Sequence, residues 1–91
     1  MVRVLQTPTF KRAVKRLHKQ QKRELDEAVR AVATDPAIGE SKVGDLAGVR
    51  VHKFKMNRQL ILLAYEFLEA DDSVKLLALG SHENFYRDLK R

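Results

Sequence analysis

Residues 49–80 read "VRVHKFKMNRQLILLAYEFLEADDSVKLLALG", and the fold turns on them. In residues 49–55, Val49 and Val51 fall on one face and Arg50 and His52 on the other. That period of two marks a half-buried strand. Met56, Asn57 and Arg58 make a turn. Residues 59–68, "QLILLAYEFL", are the most apolar run in the chain and read as a central strand. Residues 70–73, "ADDS", are turn formers. Residues 74–79 are a further strand, ended by Gly80. Connections this short join strands as an antiparallel meander.

Upstream, residues 2–6, "VRVLQ", alternate and carry β-branched side chains, as a short strand does. Thr7 is a good N-cap and Pro8 suits the first helical position, so a helix begins there. Phe10, Val14 and Leu17 repeat at helical spacing, with Ala13 beside them. Leu25, Val29 and Val32 repeat again, with Ala28 and Ala33 nearby. No apolar residue falls in positions 18–21, which predicts an α-hairpin bent there. Because no Gly or Pro marks the bend, one continuous helix is the alternative. Asp35-Pro36 ends the helical region, and residues 37–48, with Gly39, Gly44 and Gly48, read as a loop. After Gly80, Ser81 is an N-cap candidate for a closing helix with Phe85 and Leu89 as its buried positions. The order βααβββα predicts one α+β domain over residues 1–91: a small antiparallel sheet, an N-terminal α-hairpin and a C-terminal helix.

The 91 residues, 44% hydrophobic, suffice for one small core of modest net stability. Without cysteine no disulfide framework is possible, which fits a reducing cytoplasm. No stretch is long and apolar enough for a signal peptide or a membrane span, so a soluble cytoplasmic protein with no membrane partner is expected.

The net charge of +6 points to a polyanionic partner, either nucleic acid or an acidic protein. The charge is uneven. Residues 49–63 hold Arg50, Lys53, Lys55 and Arg58, with His52 among them and no acidic residue. Such a strand and turn can form a wall for a phosphate chain, and Arg58 can grip a phosphate bidentately. Lysines on a strand also serve simply to discourage edge-to-edge pairing. The first helix carries Lys11, Arg12, Lys15, Arg16 and Lys19, followed by Lys22 and Arg23, with no carboxylate before Glu24. It reads as a contact surface for RNA or an acidic protein, or as a merely solvated helix.

His18, His52 and His82 have no partners at metal-ligand spacing, so no zinc-type site is expected. Nucleotide-binding glycine loops and a serine-hydrolase elbow are absent from the sequence. A basic domain can still cleave RNA, because the substrate's own 2′-hydroxyl attacks the adjacent phosphate. The protein then supplies a proton acceptor, a proton donor and cations for the crowded phosphate. Histidine is the best proton carrier near neutral pH, and tyrosine can orient or stack on a base. His52, Lys53, Lys55, Arg58, His82 and Tyr86 are residues of the required kinds. A backbone-satisfied His82 and a partly buried Tyr86 are the blander readings.

The strand-then-basic-helix start, "LAGVRVHKFK" at 46–55, Ala64-Tyr65-Glu66, and "LALGSHENFYRDLKR" at 77–91 together resemble the RelE/ParE superfamily of type II toxin–antitoxin toxins. The resemblance covers essentially the whole chain. It implies the α+β fold and one of two activities. RelE-like members cleave messenger RNA in the ribosomal A site without metal. ParE-like members poison DNA gyrase and lack the catalytic basic and aromatic set. By the resemblance, Lys53 and Lys55 match the strand lysines, His82 the C-terminal basic position and Tyr86 the tyrosine after it. Many members carry an arginine within the central strand; here Leu60, Ile61 and Leu62 stand there and Arg58 lies just before. The expectation is a cofactor-free, ribosome-dependent mRNA endonuclease. His82 would act as general acid or base, Tyr86 would position and stack, and Lys53, Lys55 and Arg58 would hold phosphate. Arg50, His52, Lys11 and Lys15 are further RNA-binding candidates. Expected partners are the ribosome with its mRNA and a cognate antitoxin, with DNA reached only through that antitoxin. The alternatives are a gyrase inhibitor and a non-catalytic binding module.

Overall fold

Asn57 and Arg58 both take left-handed backbone conformations, with φ of 52° and 67°. Two such residues in succession reverse a chain with the twist that antiparallel strands require. They join β3 (Arg50–Met56) to β4 (Gln59–Leu68) in an unbroken register from Met56 opposite Gln59 to Arg50 opposite Tyr65. A 3-10 turn, Glu69–Asp71, and a left-handed Asp72 then lead into β5 (Ser73–Gly80), which lies antiparallel to β4. The computed structural model describes residues 2–81. The closing helix expected from Ser81 onward, with His82, Phe85, Tyr86 and Leu89, lies outside the described residues.

The meander is as the alternation indicated, but the sheet as a whole is mixed rather than antiparallel. β1 (Arg3–Gln6) pairs parallel with β5, Arg3 opposite Ser73 and Gln6 opposite Leu76. Parallel neighbours need a long crossover, and everything between Gln6 and Ser73 supplies it. A two-residue β2 (Glu40–Ser41), inside the segment read as loop, pairs with β3. The strand order is β1-β5-β4-β3-β2.

Two helices form, α1 (Pro8–Lys15) and α2 (Lys19–Thr34), so the break at residues 18–21 is a real interruption. Thr7 caps α1, its hydroxyl accepting the Phe10 N–H at 3.1 Å. The same hydroxyl donates to the Leu77 carbonyl at 3.1 Å. Leu77 is the residue left over where the β4–β5 register shifts, so Thr7 pairs a carbonyl beside the irregularity. The His18 N–H is satisfied by Gln21 Oε1 at 3.0 Å, which starts α2 without glycine or proline.

Both helices cover one face of the sheet. Phe10 from α1 and Leu25, Ala28 and Val32 from α2 pack with Met56, Leu63, Tyr65, Val74 and Leu76. A second cluster, Val51, Leu62, Ala64 and Ala78, belongs to the opposite face. Leu62, Leu63, Ala64 and Tyr65 are each 0% exposed, as a central strand buried on both faces should be.

Candidate nucleic-acid interface

The register decides which basic side chains share a face. Arg50, His52, Phe54 and Met56 point toward the helices, opposite Tyr65, Leu63, Ile61 and Gln59. Val51, Lys53 and Lys55 point away, opposite Ala64, Leu62 and Leu60. The run of basic residues is therefore split. Lys53 and Lys55 are exposed neighbours on one face, beside half-exposed Leu60, and Arg58 is exposed at the hairpin tip. Within the described residues, Lys53, Lys55 and Arg58 have no hydrogen-bond or ion-pair partner. Lys53 lies opposite Leu62, and Leu62 opposite Gly80. The chain thus leaves the sheet in Lys53's own cross-strand row, two strands away, a span of about 10 Å.

Arg50 and His52 do not join that set. The Arg50 guanidinium donates to the carbonyls of Gly39 at 2.8 Å and Ala37 at 3.4 Å, fastening the segment after α2 to the sheet. His52 stacks on Phe54 with ring centroids 6.2 Å apart and planes 11° from parallel. Burial against this face pushes its pKa below the ordinary imidazole value. Lys11 and Lys15 are exposed on α1, also on the helical side of the sheet. The described residues therefore form two basic regions: the Lys53–Lys55 strand face with its hairpin, and the α1–α2 surface. His82 and Tyr86 lie outside the described residues.

Two local arrangements had no sequence signal. The Tyr65 hydroxyl donates to the Pro36 carbonyl at 2.7 Å and accepts the Gly39 N–H at 2.8 Å. Burial raises its pKa, while the Gly39 N–H and the Arg50 charge pull it down. A Cβ on Gly39 would lie 2.6 Å from that oxygen, so the close approach requires glycine. The second is a carboxylate on the hairpin: Glu24 Oε2 accepts the Asn57 N–H at 2.6 Å. An apolar groove of about 230 Å³ opens beside this hairpin, lined by Leu17, Met56, Ile61 and Leu79 together with Arg16 and Gln21. Among the described residues, no three His, Cys, Asp or Glu side chains gather as metal ligands would. No helix among them is long and apolar enough to cross a membrane.

A mixed five-stranded sheet with two helices on one face and a lysine pair on the other is a small α+β fold. The family model of the ParE-like toxin of type II bacterial toxin–antitoxin systems matches residues 4–90, and the chain belongs to that family, within the RelE/ParE superfamily. Among solved structures it is similar to the RelE toxin in the intact Escherichia coli RelBE toxin–antitoxin complex. The TM-score there is 0.74 at 16% identity, covering 91% of this chain and 99% of that one. It is similar to a chain of the toxin–antitoxin complex RelBE2 of Mycobacterium tuberculosis, with a TM-score of 0.67 at 21% identity, covering 89% and 98%. It is also similar to a YoeB/ParE toxin of Agrobacterium tumefaciens, with a TM-score of 0.71 at 14% identity, covering 88% and 98%. No curated protein sequence matches significantly. At these identities the structural likeness concerns the fold.

Proposed function

We propose that this toxin is a metal-independent, ribosome-dependent mRNA endonuclease. The observation that carries the reading is the pair of exposed lysines, Lys53 and Lys55, two residues apart on one sheet face and without partners among the described residues, with Arg58 at the adjoining tip. Cations at that spacing suit successive phosphates of a single strand, and residues 49–63 contain no acidic side chain to compete with them. The substrate 2′-oxygen attacks phosphorus and its proton passes to a base. The P–O5′ bond breaks, and an acid protonates the departing 5′-oxygen, leaving a 2′,3′-cyclic phosphate. Lys53, Lys55 and Arg58 hold the phosphate and its growing charge. His82 carries the proton in one of the two roles, and Tyr86 positions and stacks on a base. His82 follows Gly80 by two residues, which suits it to this task because Gly80 ends the Lys53 row.

The α1–α2 surface, with Lys11 and Lys15, suits an antitoxin rather than the substrate. An acidic amphipathic helix could bury its apolar side in the groove at Leu17 and Ile61 and set its carboxylates against the lysines. Toxin–antitoxin complexes among the structural relatives support a partner of this kind. An antitoxin-like reading frame beside this one would add to that support.

The test is a translation extract in which mRNA ends are mapped. New ends should appear inside the reading frame with the wild-type protein. They should be lost with His82→Ala, provided circular dichroism is unchanged. Gyrase inhibition is favoured by two observations: the match is to a ParE-like family model, and β4 carries no cation. Purified gyrase decides it: supercoiling blocked and cleaved DNA complexes trapped, with mRNA left intact, replaces the endonuclease reading. RNA or acidic-protein binding with neither activity would leave a binding module.

A further inference from the structure

The β3–β4 hairpin carries an arginine where the backbone favours glycine. Arg58 has φ of 67° and follows Asn57 at 52°, the pair of positive angles for which Asn-Gly is the usual choice. An L-residue other than Asn or Asp enters this region at a cost, and it persists where its surroundings over-determine it. Here the determinant comes from α2. Glu24 Oε2 accepts the Asn57 N–H at 2.6 Å, and Glu24 Oε1 accepts Gln20 Nε2 at 3.3 Å. Both carboxylate oxygens are thereby oriented, one by its own helix and one by the turn. Leu25, the next residue, packs in the same core cluster as Met56, the residue before the turn, so the anchor itself is fixed.

We propose that Glu24 is a positioning residue: it holds the Asn57–Arg58 turn in its left-handed form and so sets Arg58 at the end of the Lys53–Lys55 row. This rests on the reading of that row as the phosphate-holding surface. A carboxylate beside a phosphate site would by charge alone repel the substrate. Its presence on the turn is explained if the hydrogen bond matters more than the charge. The competing role, general support of the helix–sheet packing, makes different predictions.

Two substitutions separate hydrogen bond from charge. Glu24→Ala removes both; Glu24→Gln removes the charge but keeps an oxygen that can accept the Asn57 N–H. In wild-type protein, the Arg58 Cα and Cβ shifts should report a left-handed residue. Glu24→Ala should shift the Arg58 signals and Glu24→Gln should not. In the mRNA-cleavage assay, Glu24→Ala should lower the rate about tenfold or more, the scale of a misplaced positioning group, with Glu24→Gln close to wild type. On an Arg58→Ala background, Glu24→Ala should cost nothing further, because its effect passes through Arg58. Arg58 Cα and Cβ shifts that are the same in Glu24→Ala as in the wild type overturn the proposal. So does a Glu24→Ala penalty that persists without Arg58, or a Glu24→Gln variant as impaired as Glu24→Ala. If the wild-type protein cleaves no mRNA, the endonuclease reading fails, and the Glu24–Asn57–Arg58 link is judged on the spectra alone.

Discussion

Tyr65 lies in the middle of the most apolar run of the chain, yet its hydroxyl makes two polar contacts, to Pro36 and Gly39. Removing the hydroxyl in Tyr65→Phe leaves a buried N–H and a carbonyl to find other partners, and the folded state should lose about 1–3 kcal/mol. Gly39→Ala pushes a methyl against the same oxygen and should cost about 1–3 kcal/mol by overpacking. Urea titration of the two variants measures both. His52 is a second residue whose role emerged only from the register. Desolvation lowers its folded pKa below the unfolded value of about 6.5, so in the window below 6.5 the unfolded chain binds more protons at this site. The stability it contributes is present above that pH and is lost as pH falls through the folded pKa. Melting temperatures at pH 7.5 and pH 5.5 should therefore differ more for the wild type than for His52→Asn. Strand alternation made the split between Arg50/His52 and Val49/Val51 legible. It did not reveal that the Arg50/His52 face is the one under the helices, because three polar or aromatic residues on that face resemble a solvated surface.

At the scale of elements, turn and cap chemistry was readable wherever one residue decides it. Thr7-Pro8 fixed the start of α1, and Thr7→Ala should cost about 1 kcal/mol from the cap alone. The bond to Leu77 adds to this, and chemical denaturation will show the sum. The β3–β4 hairpin was also legible, since an apolar strand follows an alternating one across three residues. Its strain was not. Arg58→Gly should stabilise the fold by up to about 1 kcal/mol, since glycine takes the left-handed conformation without the Cβ penalty. The same change should lower cleavage, and a protein that gains stability as it loses activity would mark Arg58 as retained for function. The parallel pairing of β1 with β5 was hidden for a different reason. Local pattern identifies a strand, but its partner depends on where the chain returns after two helices, and "VRVLQ" carries no record of that.

For the whole molecule, the net charge is +6, and the basic side chains of the described residues divide between opposite sides of one sheet. A sequence read as a line merges them, because Arg50, His52, Lys53 and Lys55 are adjacent in the chain and alternate in space. The family could be recognised from segments spread along the chain, and the family match over residues 4–90 agrees with it. The catalytic assignment of His82 and Tyr86 rests on the sequence resemblance and stands as a proposal. If Lys53, Lys55 and Arg58 each hold one phosphate, replacing all three with alanine should reduce the salt slope of single-stranded RNA binding by about 2. Lys11→Ala/Lys15→Ala should leave that slope nearly unchanged and weaken antitoxin binding instead. The most direct measurement is the mapping of mRNA ends in a translation extract with wild-type protein and with Lys53→Ala/Lys55→Ala, both shown to be folded by circular dichroism. The wild type should produce cuts within translated mRNA, and the double variant should lose them by at least about a hundredfold, the scale on which transition-state charge stabilisation acts. Equal cutting by both proteins, or intact mRNA alongside inhibited gyrase, would contradict the account.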